Sequence, residues 1–353
     1  MSLACGENFI LFVDYESTVW VWGNNKQGQL GYTGRDKISR FEALDGVPPI
    51  FVAVACGFQH SFLLDAEGFV WASGWHLSGQ LGLGSDTTQR EKFEKIPTVC
   101  NITSISTKGK HSLFLDANGD VWSTGSNSDG QLGLGGWLPK FVPTKIAFKS
   151  VKFSAIACGD KHSLFLGVDG SVWSCGANNC GQLGINSNVS QIFAPSKVLN
   201  IPEIRAIAAG NDHSILLDYE GTPWGFGSNA GCQLGLDTTE FRVVKQPLQI
   251  KTLKLIDQIA CGGDHTLFLD AMGKVYGCGR AQKINCLNNL PQVEHIAAGA
   301  KTSLFLDSSG SLWIYPGSHL LGATGEDMFQ KVEDIPQLLL PRNMHVKMKS
   351  ART

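Results

Sequence analysis

The sequence has little charge, and that charge is almost balanced: 17% of its 353 residues are Asp, Glu, Lys or Arg, and the formal net charge is −2. This balance provides no broad basic field for nucleic acid or for an anionic membrane. No apolar run approaches the roughly 20 residues that a membrane helix requires, and residues 1–12 lack the basic start and the cleavage site of a signal peptide. We therefore expect a cytoplasmic or nuclear protein with neither nucleic-acid nor membrane partners.

The ten cysteines form no CxxC pair, and four of them recur at one position of a repeated motif: Cys5, Cys56, Cys158 and Cys261. A cysteine inside a repeated Ala-Cys-Gly behaves as a small buried apolar residue, so disulfides and structural zinc are both disfavoured. The sequence also lacks the Walker, HExxH and Gly-x-Ser-x-Gly motifs of common enzyme sites. We expect no metal site, no cofactor, no catalytic residue and no enzyme activity.

A repeated unit of about 51 residues is the dominant feature of the sequence. In the second copy it begins with Ala55-Cys56-Gly57, continues with His60-Ser61 and an apolar run, and ends near Gly79-Gln80-Leu81-Gly82. Seven copies are recognisable, near 4–54, 55–105, 106–156, 157–207, 208–259, 260–296 and 297–341, followed by a tail at 342–353. A period of roughly 20 to 50 residues indicates a solenoid or a propeller.

Each copy has the pattern of four short strands. Leu113-Phe114-Leu115 is an apolar run that predicts a buried strand, and residues 116–119 predict a tight turn. Val121-Trp122 begins the next strand, and the copies share an aromatic packing residue there: Trp20, Trp71, Trp122, Trp173, Trp224, Tyr276 and Trp313. Because no 3.6-residue period is present, we predict an all-β protein, a seven-bladed β-propeller of four-stranded antiparallel blades.

The whole of residues 1–353 is expected to form a single domain, with a monomer favoured. The ring is predicted to close through N- and C-terminal strands, with residues 329–340 adding outer strands to the blade whose inner strand begins at Leu3, because closure removes free sheet edges. The sixth copy is short, and residues 282–287 replace its Gly-Gln-Leu-Gly and the following loop. An outer strand or its loop is therefore predicted to be missing from that blade.

The combined motifs resemble those of one known family. Ala-Cys-Gly-x-x-His-Ser-Leu, then Gly-x-Val-Trp, then Gly-x-Asn-x-x-Gly-Gln-Leu-Gly is similar to the regulator of chromosome condensation repeat, and the resemblance covers residues 4 to about 340. Kelch repeats have a similar length but are disfavoured, because their double-glycine signature is missing at the equivalent position. The motif is informative about fold and much less about function, since many functions share one fold.

Candidate partner-binding residues lie between the repeated Gly and the repeated His, where the copies differ while their flanks stay constant. Rotational repetition places these seven residue pairs on one face. Asp160, Asp212 and Asp264 are predicted to form an acidic arc there, either as an ordinary solvated rim or as a docking surface for a partner of complementary charge. The other candidates are Phe58, Gln59, Lys110, Lys161, Asn211 and Lys301, with Lys108 as a further basic neighbour.

The repeated histidines are interpreted as structural, because catalysis needs one special residue rather than five equivalent ones. The family resemblance nevertheless implies a surface that faces the small GTPase Ran, on which the family prototype drives nucleotide exchange. It assigns Asp160, Asp212, Asp264 and His265 to that surface. The prototype's extra β-wedge has no room in the first five copies, where the spacing from Gln-Leu-Gly to the next repeat hardly varies.

A photoreceptor branch of the family senses ultraviolet-B light through tryptophans beside the repeated His. Photoreception is not expected here, because those places hold Phe58, Gln59, Lys161 and Asp212. We therefore predict a non-catalytic protein–protein interaction propeller, as a minimal propeller or as a segment of a larger signalling or ubiquitin-pathway protein. The alternative is a guanine-nucleotide exchange factor or another regulator of a Ran-like small GTPase.

Overall fold

The computed structural model describes residues 1–44, 50–148, 151–315 and 329–333. Over these residues the chain forms seven separate four-stranded antiparallel sheets. Each sheet is one blade, and each blade is built from four strands that follow one another in the sequence. The prediction of a seven-bladed, all-β propeller is confirmed.

The strands are numbered along the chain. Blades 1 to 4 consist of β1 (Ser2–Cys5), β2 (Phe9–Val13), β3 (Val19–Asn24), β4 (Lys37–Ala43), β5 (Phe51–Cys56), β6 (His60–Asp65), β7 (Val70–Gly74), β8 (Arg90–Lys95), β9 (Ile102–Thr107), β10 (His111–Asp116), β11 (Val121–Gly125), β12 (Lys140–Lys145), β13 (Phe153–Cys158), β14 (His162–Gly167), β15 (Val172–Ala177) and β16 (Gln191–Lys197). Blades 5 to 7 consist of β17 (Ile204–Ala209), β18 (His213–Asp218), β19 (Pro223–Ser228), β20 (Val243–Gln249), β21 (Ile256–Cys261), β22 (His265–Asp270), β23 (Val275–Gly279), β24 (Gln282–Cys286), β25 (Val293–Ala298), β26 (Ser303–Asp307), β27 (Leu312–Tyr315) and β28 (Gln330–Lys331).

The second strand of each blade is the centre of the core. Every residue of β10 is buried, because the strand has a neighbour on each side in its own sheet and a neighbouring blade on each face. Phe62 of blade 2 and Phe114 of blade 3 contact each other edge to face, with ring centroids 5.5 Å apart. Apolar packing between adjacent blades, rather than within one sheet, therefore stabilises the ring.

The turn between the second and third strands fixes the repeated tryptophan. In blade 2, Asp65 Oδ1 accepts the backbone N–H groups of Glu67 and Phe69, and Asp65 Oδ2 accepts the indole N–H of Trp71 at 3.0 Å. The same indole–carboxylate bond recurs in the pairs Trp20–Asp14, Trp122–Asp116, Trp224–Asp218 and Trp313–Asp307. These tryptophans are packing residues, as predicted.

The predicted mode of ring closure is wrong in one respect. β28 pairs with β27 in blade 7, whereas the four strands of blade 1 all lie within residues 2–43. Blade 1 has an inner strand and an outer strand of its own, so it leaves no place for β28. The two blades close the ring by packing: Ile10 and Phe12 share an apolar cluster with Leu304 and Leu306. Residues 334–340 of the predicted closing segment lie outside the described residues.

Blade 6 retains its outer strand and has lost only the loop before it. β23 and β24 are joined by a two-residue turn, Arg280 and Ala281, with φ angles of 52° and 65°. Positive φ at both central residues is the geometry of the type I′ hairpin turn, whose twist matches that of the flanking strands. Of the two alternatives predicted for this blade, the structure therefore has the missing loop and not the missing strand.

Candidate functional site

The seven variable residue pairs lie on one face, which we call the variable-pair face. The chain leaving each third strand returns to the same loops: the N–H groups of Trp75, Ala177 and Ser228 donate to the carbonyls of Gln59, Lys161 and Asp212 at 2.9, 2.8 and 2.7 Å. Neighbouring blades are linked there too, since Asn211 N–H donates to the Gly263 carbonyl at 3.0 Å. The loops after the first and third strands of each blade therefore share this face.

The acidic arc, defined by Asp160, Asp212 and Asp264, lies on this face across blades 4 to 6. Asp264 is exposed, and the other two carboxylates are half-buried. Burial raises the pKa of Asp212, and the neighbouring charges of Asp160 and Asp264 raise it further. Burial also raises the pKa of Asp160, against the lowering effect of Lys161 and Lys108. Because the charges of Asp160 and Asp264 both act on the Asp212 carboxylate, Asp212 is the member of the arc that lies near the other two.

Lys108 has a different place from the one its sequence position suggested. It stands where blade 2 has Gly57, and its Nζ crosses the propeller axis to donate to the carbonyls of Cys261, Gly262 and Ala209 at 2.8, 2.8 and 3.1 Å. All three ammonium protons therefore have acceptors on blades 5 and 6. Burial lowers the pKa of Lys108 to about 8, while Asp160 and Asp264 act to raise it.

Lys108 is thus a cation on the propeller axis, beneath the acidic arc, and not one of the exposed basic residues of the variable-pair face. The sequence did contain a signal for this role, because blade 3 alone places a long side chain where the other copies carry Gly6, Gly57, Gly159, Gly210, Gly262 and Gly299. In blade 2 a Cβ at this glycine would lie 2.2 Å from the His60 ring. Blade 3 has a different local loop, in which Thr107 Oγ1 donates to the His111 carbonyl at 2.9 Å.

The other predicted site residues are also on the variable-pair face. Lys110, Lys161 and Lys301 are exposed there, and Lys110 Nζ lies 5.0 Å from the centroid of the Trp75 ring. The remaining three are half-buried: Phe58, Gln59 and Asn211. The face therefore combines a central acidic arc with separate basic and aromatic positions, and binding by these residues stays a prediction.

The repeated histidines join one blade to the next. His162 Nε2 and Ser214 Oγ are 2.9 Å apart, and Ser214 Oγ donates its own hydrogen to the Gln182 carbonyl at 2.9 Å. The imidazole must therefore donate the proton of that bond, which fixes the tautomer. Equivalent contacts join His111 to Ser163, His213 to Thr266 and His265 to Ser303. His60 Nε2 also contacts blade 3, but there it lies 2.7 Å from Thr107 Oγ1 and 3.4 Å from the equivalent hydroxyl of Ser112.

These histidines are structural, and this corrects the assignment of His265 to a partner-facing surface. His265 is fully buried between blades 6 and 7, so its ring is not accessible to another protein. Burial lowers the pKa of His60, His162 and His213 to about 3, and that of His111 to about 4. Burial also lowers the pKa of His265 well below its ordinary value. The five imidazoles are therefore neutral at physiological pH.

Two general features of the described residues bear on the chemistry. No group of three His, Cys, Asp or Glu side chains among them is arranged to hold a metal ion. The same part of the chain contains no helix long and apolar enough to cross a membrane.

The cysteines at positions 5, 56, 158 and 261 are buried around the axis, and burial raises their thiol pKa values. They therefore have the packing role that the sequence predicted.

The protein is a seven-bladed repeat propeller, in which histidine–hydroxyl bonds join the blades and the variable loops lie on one face. A family model described as the RCC1-like domain matches residues 51–287, and two models of the regulator of chromosome condensation (RCC1) repeat match residues 16–64 and 2–29. The chain therefore belongs to the RCC1-like domain family, which confirms the family resemblance of the sequence.

Individual relatives agree with this membership. Ultraviolet-B receptor UVR8 of Arabidopsis thaliana is 30% identical over 284 residues, covering 77% of this chain and 63% of that protein. Probable E3 ubiquitin-protein ligase HERC6 of Homo sapiens is 30% identical over 291 residues, covering 79% of this chain and 28% of that protein. The chain thus spans less than two-thirds of the length of either relative. The crystal structure of Prp20p from Saccharomyces cerevisiae, 20% identical over 94% of this chain and 87% of its own, has a TM-score of 0.76 and shows the same fold.

Proposed function

We propose that this propeller is a non-catalytic protein-interaction module that docks a cationic surface of a partner on the acidic arc. The observation that carries the proposal is the arrangement of Asp160, Asp212 and Asp264 on three successive blades. None of them forms an ion pair with a lysine or arginine within the described residues. Burial and like charge both disfavour the ionised form of a carboxylate, as they do at Asp212, so a Lys or Arg of a partner would stabilise the arc in its charged form.

The proposal predicts a charge-specific and salt-sensitive interaction. Replacing the arc by Asn (D160N/D212N/D264N) removes three charges and keeps the side-chain size. The matched control removes three exposed carboxylates from the opposite face of blades 4 and 5 (D169N/E203Q/E220Q). Partners captured from a lysate and then purified should bind the arc variant about tenfold more weakly at low salt, while the control binds like the parent. Equal binding by all three proteins would contradict the proposal.

The partner class remains open between two candidates. A role as the docking part of a larger ubiquitin-pathway or signalling protein is supported by the similarity to a probable E3 ubiquitin-protein ligase, of which this chain spans 28%. The second candidate is regulation of a Ran-like GTPase. It is supported by three carboxylates in the loop that the family resemblance assigns to GTPase contact, and by the fold shared with Prp20p, whose structure was described with its binding to Gsp1p.

A nucleotide-release assay separates these candidates. Acceleration of labelled GDP release from a Ran-like GTPase by the parent, and its loss in D160N/D212N/D264N, would support the second one. Binding without acceleration would support docking alone. If the parent neither binds the GTPase nor accelerates GDP release, the second candidate is removed. The capture experiment then remains the test of the acidic arc.

A further inference from the structure

The loop after β11 in blade 3 exposes two large apolar side chains. Trp137 is 65% exposed and Leu138 is 58% exposed, whereas every other tryptophan of the chain is at least partly buried. At the corresponding positions blade 2 has Asp86-Thr87 and blade 4 has Asn188-Val189, so neither neighbouring copy has two large apolar residues or a tryptophan there. Positions that keep the blade intact repeat, so an apolar pair in one copy alone is not explained by folding.

The exposed pair is held on an anchored loop. Asn127 Nδ2 donates to the carbonyls of Gly136 and Leu138 at 2.6 and 3.1 Å, and Asn127 Oδ1 accepts the N–H of Leu132 at 3.0 Å. Gly135 N–H donates to the Phe193 carbonyl of blade 4 at 2.9 Å. Trp137 is therefore presented to solvent by a braced backbone, and such preorganisation lowers the entropy cost of binding.

Trp137 and Leu138 form one wall of a groove between the outer parts of blades 3 and 4. The groove has a volume of about 600 Å³, and the apolar side chains of Leu134, Ala147, Ala194 and Pro195 also line it. The charged residues that line it are both lysines, Lys140 and Lys145. An exposed tryptophan beside an apolar groove is typical of the anchoring centre of a protein interface.

The two lysines differ in what they already bind. Lys145 Nζ forms an ion pair with Asp120 at 2.8 Å. Lys140 forms no ion pair with any described residue, although its backbone carbonyl accepts a hydrogen bond from Thr124 Oγ1 at 2.8 Å. The Lys140 ammonium is therefore an available positive charge at the edge of the groove. Among the described residues that line the groove, none is a carboxylate that could compete for it.

We propose that this groove is a second docking site, which binds a short extended peptide segment with an apolar side chain next to Asp or Glu. The apolar residue packs against Trp137 and Leu138, and the carboxylate pairs with Lys140. The charge preference is opposite to that of the acidic arc, which attracts cations. The two sites therefore recognise different segments, and the groove site does not depend on the function proposed for the arc.

Selection of random peptides displayed on phage against the parent chain tests the proposal. Enriched peptides should carry an aliphatic or aromatic residue within two positions of Asp or Glu. The variant W137D/L138T gives blade 3 the corresponding residues of blade 2 and should lower the affinity of a synthetic enriched peptide by about tenfold. The variant K140Q should lower it several-fold and reduce its dependence on salt. D160N/D212N/D264N should bind the peptide like the parent.

A spectroscopic measurement places the peptide on the groove. In protein labelled with fluorotryptophan, the one fluorine resonance that is lost in W137F should shift on peptide addition, while the resonances of the buried tryptophans stay in place. Melting temperatures of all variants serve as the folding control. No enrichment, enrichment of basic or neutral peptides, or binding that W137D/L138T leaves unchanged would each overturn the proposal.

Discussion

Mild acid should destabilise this propeller strongly, because five neutral imidazoles are buried between its blades. The pKa is about 3 for His60, His162 and His213, about 4 for His111, and well below the ordinary value of 6.5 for His265. Unfolding exposes these rings to water, where they titrate near 6.5. Between the two values the unfolded chain binds more protons than the folded one, so stability falls as the pH falls below 6.5.

The magnitude follows from that difference in proton binding. Lowering the pH from 7 to 5.5 costs about 1 kcal/mol for each such histidine, and therefore several kcal/mol for the five together. The raised pKa values of Asp160 and Asp212 act in the opposite direction, because above their ordinary value of 3.8 the folded chain binds more protons at these groups than the unfolded chain does. Because a folded domain has roughly 5–15 kcal/mol of stability in total, the effect is large enough to unfold the protein.

Equilibrium unfolding in urea at several pH values, followed by tryptophan fluorescence, measures this loss. The variant His162→Phe is a matched non-titrating control, because Phe9 holds the equivalent position in blade 1, where Ser61 Oγ still donates to the Gln29 carbonyl. Its free energy of unfolding should depend on pH about one-fifth less steeply. A free energy of unfolding that changes by less than about 1 kcal/mol between pH 7 and 5.5 would refute the reasoning.

Three further substitutions test single interactions. Lys108→Met should lower the free energy of unfolding by about 1–3 kcal/mol, because three axial carbonyls lose their donor, and an unchanged urea midpoint would contradict this role. Trp122→Phe should cost a similar amount, because the half-satisfied carboxylate of Asp116 stays buried; calorimetry would show a lower melting temperature. His76→Asn should be nearly neutral in the same measurement, within about 0.5 kcal/mol, because Asn serves at this loop position in other blades. Those blades carry Asn25, Asn127, Asn178 and Asn229.

Most of the fold could be predicted from the sequence because each blade repeats the same local bonds. Asp65 and Trp71 are six residues apart, and the equivalent Asp and Trp have the same spacing in every copy that contains both. One repeated indole–carboxylate bond therefore explains this spacing. The outer strand of blade 6 could not be predicted, because its turn uses Arg280 and Ala281 rather than the Asn or Gly that positive φ angles favour.

The candidate site was predictable only in part. The shared face of Asp160, Asp212 and Asp264 follows from rotational repetition, which sequence spacing reveals. The direction of the Lys108 side chain does not, because its three acceptors are carbonyls more than 100 residues away on the far side of the axis. The burial of His265 could not be predicted either, because the family resemblance placed this histidine on the same partner-facing surface as its exposed neighbour Asp264.

The interblade histidines also imply a preferred order of mechanical opening. They join five successive junctions, from blades 2 and 3 to blades 6 and 7, while the corresponding residues on either side of blade 1 are Thr302 and Phe9. Blade 1 is therefore the blade whose two junctions have no histidine link, and apolar packing and hydrogen bonds such as that from Ser73 Oγ to the Gly28 carbonyl hold it in place. When the ring is pulled or transiently opens, blade 1 should detach first, and its backbone amides should exchange with deuterium before those of the blades opposite.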